Sequence, residues 1–148
     1  MRAVVQRVAC ASVEVDGATV GSIDRGYLVL LGVAATDTQA EAEKLWNKIW
    51  ALRINEDSAG KTNLALVNAG NAVLIVSQFT LLADCRHGRR PSFSAAGPAE
   101  HAEELYRAFC ELARADAATV ETGVFGAHMQ VKLENDGPFT IVLDTDEL

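Results

Sequence analysis

The run Tyr27 to Val33, YLVLLGV, is apolar at nearly every position. A strand formed there has no polar face to turn toward water, so it must be covered on both sides. The flanking sequence supplies the cover. Upstream, Arg2 to Val8 and Ala11 to Val15 are rich in β-branched residues, and Asp16-Gly17 is a tight-turn dipeptide leading into Ala18 to Ile23, which predicts a hairpin. Arg25-Gly26 then turns the chain into the apolar run. Downstream the period changes. Thr36 or Asp37 can cap a helix from about Thr38 to Arg53, where Ala42, Leu45, Trp46, Ile49 and Trp50 recur at three- and four-residue steps. Both tryptophans fall on that stripe and are expected in the core.

Asn55 to Lys61 reads as a polar turn and Ala69-Gly70-Asn71 as the next, bracketing a short segment around Leu64 to Val67. Ala72 to Val76 is a strand that runs directly into Ser77-Gln78-Phe79-Thr80, placing polar groups where a buried strand ends. Asp84 to Ser94 is a loop carrying Arg86, Arg89 and Arg90 around Gly88. Pro98 suits the first turn of a second helix, with a stripe of Ala102, Leu105, Tyr106, Phe109, Leu112 and Ala113 up to about Ala115. Glu100, Glu103 and Glu104 near its start complement the helix dipole. Thr119 to Gly123, His128 to Glu134 and Thr140 to Asp144 read as strands joined by turns at Phe125-Gly126 and Asp136-Gly137-Pro138. This order alternates too irregularly for a doubly wound sheet. The expected fold is α+β: a single domain over residues 1–148, with a mainly antiparallel, barrel-like β-sheet and two amphipathic α-helices outside it.

A chain of 148 residues can bury about two-thirds of its unfolded surface without disulfides or a structural metal. No apolar run approaches the ~20 residues of a membrane span. MRAVVQRV lacks the apolar core and cleavage site of a signal peptide, so a cytoplasmic location is expected. Cys10, Cys85 and Cys110 are an odd, widely spaced set that reads as free thiols. With His87, His101 and His128 equally scattered, neither a metal site nor a cofactor is expected. A net charge of −7 argues against broad adhesion to nucleic acid but leaves room for a local basic site.

There is no GxSxG elbow, HExxH pair or phosphate-binding glycine loop, and no histidine near a serine or cysteine in sequence. Any reaction should therefore ask little acid or base of the protein. Ser77, Gln78 and Thr80 offer hydroxyls and an amide suited to a sugar or small polar ligand. Phe79 either stacks on a base or turns into the core. Arg86, Arg89 and Arg90 suit phosphates, or form a solvated loop. Gly137-Pro138 is a stiff corner that either presents its carbonyls in set directions or simply turns the chain into its last strand.

MRAVVQRV, SQFTL at Ser77 to Leu81, GRRPSFSAA, VETGVFGAHMQV and NDGPFT follow one another as in D-aminoacyl-tRNA deacylases, and the chain resembles that family over essentially its whole length. The resemblance implies a homodimeric, metal-independent hydrolase of the ester between a D-amino acid and the tRNA 3′-terminal adenosine. It implies that Ser77, Gln78, Phe79 and Thr80 line the catalytic pocket, with Thr80 nearest the chemistry and Phe125 and Met129 on the substrate side. Gly137-Pro138 would be a cis-peptide that screens chirality in the partner subunit's pocket, held in place by Arg7. Arg86, Arg89 and Arg90 would meet the tRNA phosphates. One position departs from the pattern: Phe139 stands where the family usually has valine.

An aminoacyl ester is already activated, so positioning and backbone N–H donors, for which Phe79 and Thr80 are candidates, can carry its hydrolysis. A covalent Thr80 ester is the rival route and needs a base. Steric exclusion of L-side chains cannot reject glycine, so glycyl-tRNA should be cleaved as well. The competing class is a tRNA-end or nucleotide-binding module without chemistry.

Overall fold

The computed structural model describes residues 1–70 and 72–148, so Asn71 of the expected Ala69-Gly70-Asn71 turn lies outside the described residues. Strand β1 (Arg2–Val15) is one continuous strand where the sequence suggested two. It continues through Ala9 and Cys10, both exposed, where the alternation breaks and the register with β8 shifts. On one edge its Arg2–Val8 half pairs with β3 and its Ala11–Val15 half with β2. On the other it runs antiparallel to β8 from Arg2↔Asp144 to Glu14↔Gln130.

After β2 (Ala18–Ile23) and β3 (Gly26–Gly32) comes α1 (Gln39–Ala51), opened by a capping box between Thr38 and Glu41. A small hairpin follows, β4 (Asn55–Glu56) and β5 (Thr62–Leu64), then the one-turn helix α2 (Leu66–Ala69) in the segment whose type sequence had left open. Next are β6 (Ala72–Ser77), a 3-10 turn at Phe79–Leu82, α3 (Ala99–Asp116), β7 (Val120–Thr122) and β8 (Gln130–Asp144).

The sheet is barrel-like and mainly antiparallel, as expected, with a parallel portion that makes it mixed. β1 is antiparallel to β2, β3 and β8, but β3 and β6 run parallel, as do β6 and β7. Parallel neighbours need a crossover, and α1 and α3 are those crossovers. The order β2-β1-β3-β6-β7 nearly closes into a barrel. At the seam β2 meets β7 so closely that a Cβ on Gly21 would lie 2.6 Å from the Thr122 carbonyl oxygen. Only glycine permits that approach.

The apolar run of β3 is covered on both sides, as its composition requires. Tyr27, Val29 and Leu31 join Leu45, Trp46 and Ile49 of α1 and Phe109 of α3 in one buried cluster. Leu28 faces the barrel interior with Val8, Val13, Leu74 and Val76. Trp46 is buried edge-on to Phe109, ring centres 5.7 Å apart, and its indole N–H donates to Asp116. Trp50 is half-buried and stacks on Trp46 at 5.6 Å. Among the described residues no helix is long and apolar enough to cross a membrane.

β8 corrects a second expectation. Asp136-Gly137-Pro138 does not separate two strands; it is an excursion within one. Gln6 pairs with Thr140 and Val8 with Asn135, so residues 136–139 leave the β1 ladder and pairing resumes beyond them.

Candidate active site

Ser77 ends β6 beside Leu31 of β3, and the Gln78 N–H donates to the Leu31 carbonyl at 2.8 Å. The chain then tightens into the 3-10 turn, with Leu81 N–H on Gln78 O at 3.2 Å and Ala83 N–H on Thr80 O at 3.1 Å. The Phe79 and Thr80 N–H groups, first in that turn, have no protein acceptor among the described residues. The Gln78 side-chain amide donates to the Thr80 hydroxyl.

A cavity of about 460 Å³ opens at this strand end. Ser77, Gln78 and Phe79 form one wall, Phe125 and Met129 another, and Ala102 of α3 part of the floor. Thr80 is half-buried beside the cavity but does not line it. Phe79 is 54% exposed rather than turned into the core, and packs edge-on against Phe93 at 5.1 Å. Phe125 is braced from behind by Tyr106, whose hydroxyl donates to Ile75 O at 2.9 Å. Among the described residues, His128 is the only ionisable side chain in the lining. Sequence reading passed over it because it was weighed as a metal ligand, not as a wall residue.

Gly137-Pro138 is a cis peptide, and both residues are exposed. The corner is held from below. Arg7, 2% exposed, places Nε 2.9 Å from the Asp136 carboxylate and 3.2 Å from the Asp136 carbonyl, while Nη1 donates to Ile54 O at 2.6 Å. The Asn135 amide donates to both Arg7 O (2.9 Å) and Phe139 O (3.1 Å), tying the two ends of the excursion together. Arg25 reaches Asp136 from the other side at 3.4 Å. Under Arg7, Asn55 donates to the Tyr27 hydroxyl at 2.6 Å. Burial pushes that phenol up to about 12 against the opposing pull of Asn55 and Arg7. Arg7, Gly137 and Pro138 do not line the cavity of the same chain.

The arginine loop is pinched at its base, where Asp84 and Ser92 exchange backbone hydrogen bonds of 2.7 and 2.9 Å. Arg86 is committed there: its guanidinium and N–H both bind Asp84, whose carboxyl this pulls down to about 2. Arg89 and Arg90 are exposed and have no ion pair among the described residues. No group of three potential metal ligands exists among the described residues.

The family model described as D-Tyr-tRNA(Tyr) deacylase matches residues 4–144. A protein from Anaeromyxobacter dehalogenans named D-aminoacyl-tRNA deacylase is 59% identical over 100% of this chain and 99% of its own length. One of the same name from Thermosipho melanesiensis is 54% identical over 100% and 99%. Among solved structures, one titled c-Myc DNA Unwinding Element Binding Protein superposes with a TM-score of 0.93 at 44% identity, covering 97% of this chain and 98% of that one. A probable eukaryotic D-amino acid tRNA deacylase shares the fold alone, at TM-score 0.83 and 18% identity over 96% and 97%. A nearly closed barrel with a strand-end cavity, matched end to end in this way, defines a hydrolase of the deacylase class. The chain belongs to the D-Tyr-tRNA(Tyr) deacylase family.

Proposed function

We propose that the protein hydrolyses the ester joining a D-amino acid to the 3′-terminal adenosine of tRNA, releasing the free amino acid. The observation that carries this reading is the pair of N–H groups on Phe79 and Thr80, without a protein acceptor among the described residues, beside a cavity walled by Ser77 and Gln78. In acyl transfer, charge develops on the carbonyl oxygen, and fixed N–H donors stabilise it without reorganising. Ser77 and Gln78 hold the ribose and ester, Phe79 takes the adenine face, and Phe125 and Met129 form the opposite wall. Arg89 and Arg90 meet the phosphates, with Arg86 bracing their loop through Asp84. No metal or cofactor enters the reaction.

Water, rather than Thr80, attacks the ester. The Thr80 hydroxyl accepts from Gln78, and no imidazole or carboxylate reaches it among the described residues, so nothing there would take its proton.

Chirality is screened by Gly137-Pro138 of a second copy, held in place by Arg7. Two features support a two-fold dimer. The corner stands apart from its own chain's cavity. β8, which carries it, pairs among the described residues with β1 alone and leaves Leu133 and Val142 exposed, the latter at 66%. Because the corner works by excluding one substituent, glycyl-tRNA is also a substrate. The protein acts in the cytoplasm, where charged tRNA is found.

The deciding measurement is release of amino acid from D-tyrosyl-tRNA and from L-tyrosyl-tRNA by the purified protein. Rapid loss of the D-ester with the L-ester intact is expected. Binding of both without hydrolysis of either would leave a tRNA-end binding module instead.

A further inference from the structure

The two N–H groups assigned to the oxyanion are flanked by two anchors. On the upstream side, Gln78 N–H is fixed to Leu31 O of β3 at 2.8 Å. On the downstream side, Arg2 Nη1 donates to Leu81 O at 2.7 Å. Arg2 is itself aimed: Nε and Nη2 both grip Asp144 Oδ2, at 2.8 and 2.7 Å, which leaves Nη1 as the arm directed at the turn. The register explains how the three meet, since Arg2 lies between Gly32 on one edge of β1 and Asp144 on the other. Gly32 makes room for the turn. A Cβ there would lie 2.5 Å from a Leu82 methyl and 3.0 Å from Gln78 O.

We propose that Arg2, oriented by Asp144, is a positioning residue for catalysis that fixes the Phe79 and Thr80 N–H groups by hooking the Leu81 carbonyl. The proposal rests on the function assigned above, because it matters only if those N–H groups meet the reacting ester. Its character is geometric rather than stabilising. Arg2 is 37% exposed and Asp144 16%, and ion pairs this close to water add little to folding. Donors displaced by a fraction of an ångström from the developing charge lose much of their effect on rate.

The experiment compares Arg2→Ala, Asp144→Asn and the double variant with the parent protein on D-tyrosyl-tRNA, well below every Tm. Arg2→Ala should lower kcat about tenfold, less than outright loss of an oxyanion donor, with KM within about twofold and Tm nearly unchanged. Asp144→Asn should show a smaller loss of kcat. The double variant should match Arg2→Ala, because Asp144 acts through Arg2. Parental kcat in Arg2→Ala, a rise confined to KM, or additive losses in the double variant would each overturn the proposal. A lowered Tm with unchanged kcat per folded molecule would assign Arg2 a purely structural role. The amide NMR shifts of Phe79 and Thr80 keep the two readings separable. If the parent protein cleaves neither ester, the assigned function fails, while unmoved amide shifts in Arg2→Ala still refute the positioning.

Discussion

The guanidinium carbon of Arg7 lies 4.4 Å from the centre of the Phe139 ring. Arg7 therefore has an aromatic face on one side and the Asp136 carboxylate on another, and these two residues bracket Gly137-Pro138. Phe139 packs with the arginine that braces the corner instead of displacing it.

Replacing Phe139 with valine should cost about 0.5–2 kcal/mol of stability, the range of a partly desolvated cation–π contact. Arg7 keeps Asp136 and Ile54, so D-ester hydrolysis should stay within a few-fold of the parent. Urea unfolding and a D-tyrosyl-tRNA assay check both halves. Collapse of D-over-L discrimination in this variant would show that the ring, not the guanidinium, holds the corner.

Arg7→Ala is the harsher change. It strips a one-third exposed carboxylate of its buried partner and frees the Ile54 carbonyl, for which about 2–4 kcal/mol of destabilisation is expected, toward the low end of buried-pair losses. Activity on D-esters should fall and discrimination against L-esters weaken. An Arg7→Ala protein with parental selectivity would remove Arg7 from the site.

Thr80→Ala should reduce kcat modestly, because the backbone donor at position 80 survives the substitution. A drop of four or more orders of magnitude, or an acyl adduct on Thr80 in intact mass spectra, would establish the covalent route instead.

Stability should decline on the alkaline side and, because the Arg2–Asp144 pair lies close to water, only slightly on the acid side. For Asp144, burial alone would raise the carboxyl, but the Arg2 hydrogen bonds, the Asp146 N–H and nearby positive charge outweigh it and hold it low. Its contribution is thus present above the unfolded carboxylate range and lost as pH falls through the folded value. For Tyr27 the folded value is raised from 10.0 to about 12, so its contribution is intact below pH 10 and lost as pH climbs toward 12. Urea unfolding at stepped pH reads both limbs. Tyr27→Phe should flatten the alkaline limb, and an unchanged slope in that variant would exclude Tyr27 as its source.

Sequence reading located the helices at α1 and α3 within a few residues, because their stripes are long and periodic. It found the polar end of β6 for the same local reason. Strand partners carry no such signal: nothing in YLVLLGV says that β6 lies parallel beside it, so the parallel portion of an otherwise antiparallel sheet went unread. Pro138 inside a strand pattern argued for a turn, and only the long pairing with β1 keeps β8 in one piece. At the site, Ser77, Gln78 and Phe79 were legible as a motif. Arg2, Asn135 and Asp136 were not, since each acts through a contact made across 79 residues or more.

That separation orders events during synthesis. The cavity wall at Ser77 to Phe79 draws on β3, β6 and α3, all of which are made before β8. Arg7, made early, waits for Asp136 until β8 emerges, and Arg2 waits for Asp144. Pairings of such long sequence separation are slow to form. A nascent chain therefore holds the Ser77 to Phe79 wall before it holds either the Arg2–Asp144 pair or the braced Gly137-Pro138 corner.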